Sequence, residues 1–257
     1  DEVLSQAATK ECRLQDNFLF LDDSHEFASK LGQCKGGYEV IFHCSPLDLL
    51  SKIAETKWQD YYKGSFKVNI HGTTVIQPQD VAHQIWPTLK NPIADMNTPR
   101  STFEFLFTPM MVVFATNPVK STEKYEDRRA HLRPEHHPSS LHPRLARTLI
   151  NLTGAKKGDV IVDPMCGAGG FLLEAAMVGA KIKGYDIDPA MIERARLNLA
   201  FYQLHADLKV LDINEWNEQV PYFVTDVPYG RSTKTVDRDK LYAAVMRAIK
   251  RNVTKRA

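Results

Sequence analysis

Hydrophobic and polar positions change period regularly along the second half of the chain. Short apolar runs that suit buried strands alternate with longer stretches whose apolar residues recur every three or four positions, as on one face of a helix. This alternation predicts a parallel sheet with helices on both faces, which is an α/β fold. The predicted strands are 159–162, 181–185, 208–211 and 222–226, and the predicted helices are 143–152, 170–178, 189–203 and a last one from about 239.

The first half of the chain mixes helices and strands without that regular order, so it predicts a separate α+β region. Ser45 followed by Pro46 indicates a helix start, because serine caps a helix and proline suits its first position. A polar, basic and proline-punctuated stretch at 118–138 is typical of a linker. The predicted strands are 17–21, 37–42, 66–70, 102–107 and 110–116, and the predicted helices include 24–31, 45–56 and 80–89.

Composition places the chain among ordinary globular proteins. Its 257 residues are 43% hydrophobic and 25% charged, which is enough for two domains that each bury a core. No apolar run approaches the roughly 20 residues of a membrane span, and the first residues carry no signal-peptide pattern, so we expect a soluble, cytoplasmic protein. The cysteines are widely spaced and indicate free thiols in a reducing compartment. They are Cys12, Cys34, Cys44 and Cys166.

The net charge is only +2, but basic residues are concentrated in two stretches. Such clusters attract phosphates, because each neutralised phosphate releases counterions. For the terminal cluster a solvated helix face is the simpler interpretation. The histidines from His131 to His142 have no cysteine or carboxylate at ligand spacing, so no metal site is predicted. The first cluster is Arg128, Arg129, Arg133, Arg144 and Arg147, and the second is Arg247, Lys250, Arg251, Lys255 and Arg256.

The strongest chemical signal is a glycine-rich stretch between a predicted strand and a predicted helix, Asp163-Pro164-Met165-Cys166-Gly167-Ala168-Gly169-Gly170. Glycines let backbone amides approach a ligand closely, and a helix N-terminus favours negative charge. The stretch lacks the third glycine of the dinucleotide fingerprint, and Asp163 would repel a pyrophosphate. A carboxylate suits a cationic sulfonium and an ammonium group. The loop therefore favours S-adenosylmethionine over a dinucleotide.

Acidic residues end the next two predicted strands. Asp186 lies about twenty residues after the glycine loop, where a carboxylate binds the ribose hydroxyls of a nucleoside cofactor. A turn or cap role is the alternative, but Asp188 suits the cap better. Asp212 is positioned to accept from the adenine amine, or is a simple strand-end aspartate. The predicted cofactor-binding residues are Asp163, Pro164, Cys166, Gly167, Gly169, Asp186, Ile187, Asp212 and Ile213.

The fourth predicted strand leads into Asp226-Val227-Pro228-Tyr229-Gly230-Arg231. Taken alone this is a turn, but beside the glycine loop it lies in the crevice where open α/β sheets bind ligands. This residue set suits a methyl acceptor such as the amine of a guanine base. That amine is a poor nucleophile, because its lone pair is delocalised into the ring. Asp226 could accept its proton, a backbone carbonyl near Val227 or Pro228 could accept its other hydrogen, and Tyr229 could stack on the base. The predicted catalytic residues are Asp226, Pro228 and Tyr229.

Together these motifs resemble the tRNA guanosine-N2 methyltransferases of archaea and their eukaryotic relatives. That family carries D-P-x-x-G-x-G-G, an acidic strand end, and D-P-P-Y-G-R-S/T. Residues 133–147 are similar to its R-P-x-x-H-P-x-S-L-x-P-x-L-A-R segment. The resemblance implies S-adenosylmethionine as cofactor, tRNA as substrate and guanosine 10 as target. It also implies substrate contacts by Arg133, His137 and Arg231.

The resemblance further implies a domain order along the chain. A Rossmann-like methyltransferase domain at 139–257 would follow an α+β region made of a ferredoxin-like module at 1–44 and a THUMP RNA-binding domain at 45–117, with a linker at 118–138. Family members begin with one more strand and end with three more. The sequence therefore indicates an incomplete chain, since a sheet of four strands would leave an exposed edge.

Other interpretations stay open at this stage. Val227 stands where the family has proline, and a D/N-P-P-Y/F loop serves any planar amine. An N6-adenine methyltransferase acting on RNA or DNA, or a tRNA-binding module without catalysis, are therefore alternatives. A small activator subunit or a homodimer is equally compatible with the sequence.

Overall fold

A computed structural model describes residues 2–7, 12–15, 18–22, 26–34, 36–138, 140–227 and 237–256. The chain divides into two compact units. The N-terminal unit comprises Ala7–Ser29 and Cys34–Ser121, and the C-terminal unit comprises Asp1–Gln6, Lys30–Gln33 and Thr122–Ala257. No helix in the described ranges is long and apolar enough to cross a membrane.

The helices and strands have the following bounds in chain order. The helices are α1 (Glu2–Gln6), α2 (Leu49–Glu55), α3 (Pro78–Ile85), α4 (Pro143–Thr153), α5 (Gly170–Met177), α6 (Pro189–Phe201) and α7 (Arg238–Asn252). The strands are β1 (Cys12–Gln15), β2 (Phe18–Leu21), β3 (Gly36–Cys44), β4 (Phe66–His71), β5 (Ser101–Phe107), β6 (Val112–Lys120), β7 (Val160–Asp163), β8 (Lys181–Asp186), β9 (Asp207–Val210), β10 (Val220–Phe223) and β11 (Val253–Arg256). Short 3-10 turns cover Glu26–Lys30, Pro46–Asp48, Trp58–Asp60, Trp86–Thr88, Tyr125–Arg128 and Ala130–Leu132.

The N-terminal unit is built on a mixed sheet in the order β3-β6-β5-β4, beside the antiparallel pair β1 and β2. Its core consists largely of aromatic rings, with Trp58 and Phe114 only 4.7 Å apart between ring centroids. The Trp58 indole donates to the Ile53 carbonyl at 2.8 Å, so its buried polar atom is satisfied. The predicted α+β character of this half is confirmed. The predicted helix at 24–31 is described from Glu26 as a 3-10 turn, and β1 had not been predicted.

The C-terminal unit contains a five-stranded sheet in the order β11-β10-β7-β8-β9, in which every neighbouring pair is parallel. The predicted α/β fold is confirmed. Helices α4, α5 and α6 supply apolar side chains to one face of the sheet, and α7 supplies them to the other. The sequence had predicted four strands. The fifth, β11, was missed because Val-Thr-Lys-Arg has no apolar periodicity. It pairs with β10, and its Val253 packs on the apolar cluster of α7.

The segment predicted as a linker divides between the two units. Up to Lys120 it continues β6, and from Thr122 it belongs to the C-terminal unit, where Tyr125 is buried. The prediction that the first arginine cluster forms one phosphate-attracting patch requires a correction. Three of its five members are buried, namely Arg128, Arg133 and Arg147, whereas Arg144 is half-buried and Arg129 is exposed.

A buried charge network holds two of these arginines. Glu174 of α5 is fully buried and accepts from Arg128 Nε at 2.7 Å, and it pairs with Arg147 Nη2 at 3.0 Å. Glu123 pairs with the same two guanidinium groups at 2.9 and 3.2 Å. The Tyr125 ring lies 5.1 Å from the Arg128 guanidinium carbon. The network therefore holds residues 123–128, which precede α4, against α5, the helix that follows the glycine loop.

Candidate active site

The crevice for a ligand lies where the strand order reverses, between β7 and β10. The chain leads from β7 outward to β8 and β9, then returns to the other side of β7 as β10. Such a switch point opens a cleft at the carboxyl ends of the strands. Asp163 ends β7, and Thr225 and Asp226 follow β10. Thr225 Oγ1 donates to Asp163 Oδ1 at 2.8 Å, so the glycine loop and the Asp226 loop are joined side by side.

Two residues of the glycine loop have a backbone conformation that residues other than glycine rarely adopt. Gly167 and Gly169 have φ values of +49° and +82°. A Cβ at Gly169 would lie 3.2 Å from the Ala195 Cβ, whereas one at Gly167 would meet no atom within 4 Å. The amide of Cys166 donates to the Tyr185 carbonyl at 2.8 Å. The loop is thus fixed against β8 and α6, and Gly167 faces open space as a cradle for a ligand.

Asp186 connects the end of β8 to that cradle. Its Oδ2 accepts from the Gly167 amide at 2.8 Å, and its Oδ1 accepts from the Asp188 amide at 3.0 Å. Burial raises the pKa of Asp186, and these backbone hydrogen bonds oppose the rise. Each oxygen keeps a lone pair for a ribose hydroxyl. Asp188 caps α6 through the Ala190 amide at 2.8 Å, which confirms its predicted cap role.

Asp163 is the least solvated carboxyl of this crevice, with an exposed fraction of 1%. Burial raises its pKa to about 7, although hydrogen bonds from Thr225 and from the Met165 amide favour the ionised form. The charges of Asp186 and Asp226 raise it further. A cation bound in the crevice would offset this cost, so the donor set fits a cationic ligand.

S-adenosylmethionine is therefore expected to displace a proton from Asp163. Below about pH 7 the carboxyl is mainly protonated in the free protein, and a bound cation favours the ionised form. Binding at about pH 6 should release a proton, and affinity should increase with pH until about 7. Calorimetry in two buffers of different ionisation heat measures the release. Asp163→Asn is the matched control without a titrating group. Binding by the parent protein without proton release would contradict this assignment.

Asp226 is half-buried, and burial raises its pKa. Among the residues that the structure describes, none holds its carboxyl by a hydrogen bond, so both oxygens are available to a substrate. The neighbouring Val227 packs with the apolar cluster that contains Val162 and Tyr185, which shows how valine is accommodated at this position. The other predicted residues of this loop, Pro228, Tyr229 and Arg231, lie outside the described residues.

The remaining predicted cofactor residues occupy different environments. Asp212 follows β9 beside Asp186, since the Leu211 amide donates to the Asp186 carbonyl at 2.9 Å. Its Oδ1 already accepts from the Asn214 amide at 2.8 Å, which is a turn role that leaves Oδ2 for an amine. Ile187 is 67% exposed next to Asp186 and offers an apolar surface to a flat ring. Pro164, Cys166 and Ile213 are buried and support the loops around the crevice.

Asn198 of α6 is a positioning residue that sequence reasoning missed. Its Oδ1 accepts from the Glu135 amide at 2.9 Å, and its Nδ2 donates to the carbonyls of Glu135 and Ala168, both at 3.0 Å. The signal was available, because Asn198 shares the helix face of the buried residues Ile192 and Ala195. Through these hydrogen bonds, Asn198 holds the segment that carries Arg133 and the half-buried His137 against the glycine loop.

The strand order and this crevice resemble those of the S-adenosylmethionine-dependent methyltransferases with a Rossmann-like sheet. Residues 130–257 match the family model described as "RMKL-like, methyltransferase domain". The tRNA (guanine(10)-N2)-dimethyltransferase of Methanothermobacter thermautotrophicus is 34% identical over 215 residues, which are 79% of this chain and 64% of that protein. The enzyme of the same name from Methanocaldococcus jannaschii is 40% identical over 146 residues, 52% of this chain and 42% of its own.

The family model and these two relatives support the resemblance to guanine-N2 methyltransferases that the motifs of this chain carry. The chain spans less than two thirds of the length of each of these two relatives. The crystal structure of TrmN from Thermus thermophilus superposes with a TM-score of 0.51 and 17% identity, covering 98% of this chain and 80% of that one. At this identity the superposition shows the shared fold.

Proposed function

We propose that this chain forms part of an S-adenosylmethionine-dependent tRNA methyltransferase that modifies the N2 amine of guanosine 10. The observation that carries the proposal is the Thr225–Asp163 hydrogen bond of 2.8 Å. It holds the Asp226 loop beside the glycine loop, so that an amine bound by Asp226 would lie next to a ligand cradled at Gly167. The names of the relatives that the chain resembles support guanine as the base and tRNA as the substrate.

The residues of the crevice would have different chemical roles in this reaction. Bound S-adenosylmethionine supplies the electrophilic methyl group. Asp186 would accept hydrogen bonds from the ribose hydroxyls, Asp212 one from the adenine amine, and Asp163 would balance positive charge. Asp226 would accept an N–H of the guanine amine, turn its lone pair toward the methyl group and take up the proton released. Burial raises the pKa of Asp226, which makes it a stronger base than an exposed aspartate.

We propose that the N-terminal unit binds tRNA. The proposed domains are a ferredoxin-like module at 1–44, of which residues 1–6 and 30–33 fall in the C-terminal unit, a THUMP domain at 45–117, a linker at 118–138 and the methyltransferase domain at 139–257. Exposed cations on this unit support the proposal, because phosphate contacts supply most of the affinity for a folded RNA. They include Lys57, Lys63, Lys90 and Arg100.

Methylation with labelled S-adenosylmethionine tests the proposed function. The whole protein is incubated with unmodified tRNA and, separately, with double-stranded DNA, and the labelled nucleoside is identified after digestion. Label should be found in tRNA as N2-methylguanosine or its dimethyl form. Label in N6-methyladenosine, or in DNA, would identify an adenine methyltransferase. Absence of transfer together with tRNA binding would identify a binding module.

A further inference from the structure

Thr225 is a polar side chain that links two loops of the crevice. Its Oγ1 donates to Asp163 Oδ1 at 2.8 Å, and one residue earlier the Val224 amide donates to the Val162 carbonyl at 3.0 Å. The backbone bond continues the pairing of β10 with β7 and needs no particular side chain. In the part of the chain that the structure describes, no other hydrogen bond joins the residues that follow β10 to the glycine loop.

The position of Asp226 depends on its two neighbours in the chain. On one side Val227 packs on the apolar cluster that contains Val162 and Tyr185, and on the other side Thr225 is hydrogen-bonded to Asp163. Apolar packing has no directional preference, whereas a hydrogen bond weakens steeply as its angle departs from linear. The Thr225 hydroxyl is therefore the directional constraint beside Asp226.

The strength of this constraint depends on the charge of Asp163. That side chain is 1% exposed, and its burial, together with the charges of Asp186 and Asp226, raises its pKa to about 7. A hydrogen bond to an ionised acceptor is roughly twice as strong as one between neutral groups. A cation in the crevice favours the ionised carboxylate by its field and needs no contact with it. Cofactor binding would thereby strengthen the bond to Thr225.

We propose that Thr225 is a positioning residue that couples the charge of the bound cofactor to the placement of Asp226. With S-adenosylmethionine in the crevice, the Thr225 hydroxyl would hold the Asp226 loop against an ionised Asp163, so the substrate amine meets an aligned acceptor when the methyl donor is present. Thr225 acts through its neighbours and not on the reacting atoms. The inference rests on the proposed function, because it takes Asp226 as the group that receives the amine.

Substitutions at Thr225 test this role in the single-turnover rate on unmodified tRNA. Thr225→Val replaces the hydroxyl by a methyl group, and at about pH 8.5, where Asp163 of the parent protein is ionised, it should lower the rate by about tenfold. Affinities for cofactor and tRNA should stay within about twofold. Thr225→Ser keeps the hydroxyl and should recover most of the rate. The matched control is Thr148→Val, which removes a half-buried hydroxyl bonded within α4 to the Arg144 carbonyl at 2.9 Å and should react like the parent.

Proton release separates the coupling from a merely structural effect. The Thr225 hydrogen bond favours the ionised form of Asp163, so its loss should raise the pKa of that carboxyl further. Calorimetry with S-adenosylmethionine alone, at about pH 7.5 in two buffers of different ionisation heat, should therefore show more proton release in Thr225→Val than in the parent. Thr225→Ser should resemble the parent. If Thr225→Val does not fold, Thr225→Ala removes the same hydroxyl and carries the same expectations.

Either an unchanged rate or an unchanged proton release in the variant without the hydroxyl would overturn the inference. A serine variant as slow as the valine variant would do so as well, because it would assign the loss to packing. The proton release is measured without a nucleic acid. An adenine product, or a parent protein inactive on tRNA, would therefore refute the proposed substrate and leave the link between Thr225 and Asp163 to be judged by the calorimetry.

Discussion

Asp226→Asn is expected to abolish methyl transfer and to leave the affinities for cofactor and tRNA nearly unchanged. The amide keeps one acceptor oxygen, but it presents an NH2 group toward the target amine and cannot take up a proton. Loss of a positioned base typically costs about a hundredfold to ten-thousandfold in rate. Single-turnover rates at saturating cofactor and tRNA isolate the chemical step.

Asp207→Asn is the matched control for this substitution, because Asp207 is an exposed aspartate on the edge strand β9. It should retain the parent rate. A fall of less than about tenfold in Asp226→Asn would show that Asp226 only orients the base. The substitution also tests the identity of the target, since adenine-N6 enzymes of this kind often work with asparagine at the matching position.

Glu174→Gln is expected to destabilise the C-terminal unit strongly. The change replaces the buried carboxylate between Arg128 and Arg147 by a neutral amide, and leaves the partly exposed Glu123 to pair with both guanidinium groups. Breaking a buried ion pair from one side typically costs about 3–5 kcal/mol in the free energy of unfolding. Because the chain has two units, hydrogen exchange of peptides from β7 and α5 during urea unfolding measures the relevant transition.

The matched control for the network is Glu193→Gln. Glu193 pairs with Arg196 on the surface of α6, where both side chains are 55% exposed. Exposed pairs contribute at most about 1 kcal/mol, so this variant should unfold almost as the parent does. Similar losses in the two variants would show that Glu174 does not stabilise the buried arginines.

Elements with strong local signals were predictable from the sequence. The strand β7, the glycine loop and the start of α5 are specified within about ten consecutive residues by an apolar run and by glycines that permit positive φ. Asp188 followed by Pro189 marks the start of α6 in the same local manner. The ends of these elements carry most of the crevice, so the candidate cofactor residues Asp163 and Asp186 were found without a structure.

Features that depend on distant partners were not predictable. The arginines of residues 128–147 look alike in sequence, but two of the buried ones, Arg128 and Arg147, are held by Glu174, which lies far along the chain. The edge strand β11 pairs with β10 and has no period of its own. The hydrogen bond between Thr225 and Asp163 exists because β7 and β10 are neighbours, which depends on the strand order of the whole sheet.

The proposed reaction is tested most directly by mass-spectrometric mapping of an unmodified tRNA after reaction with the whole protein. A second transcript carries inosine at position 10, which lacks the N2 amine and keeps the rest of the base. We expect one or two methyl groups on the fragment containing guanosine 10, and none on the inosine transcript. Methylation at an adenine, or equal methylation of the two transcripts, would contradict the assignment of this protein as a guanosine-10 N2 methyltransferase.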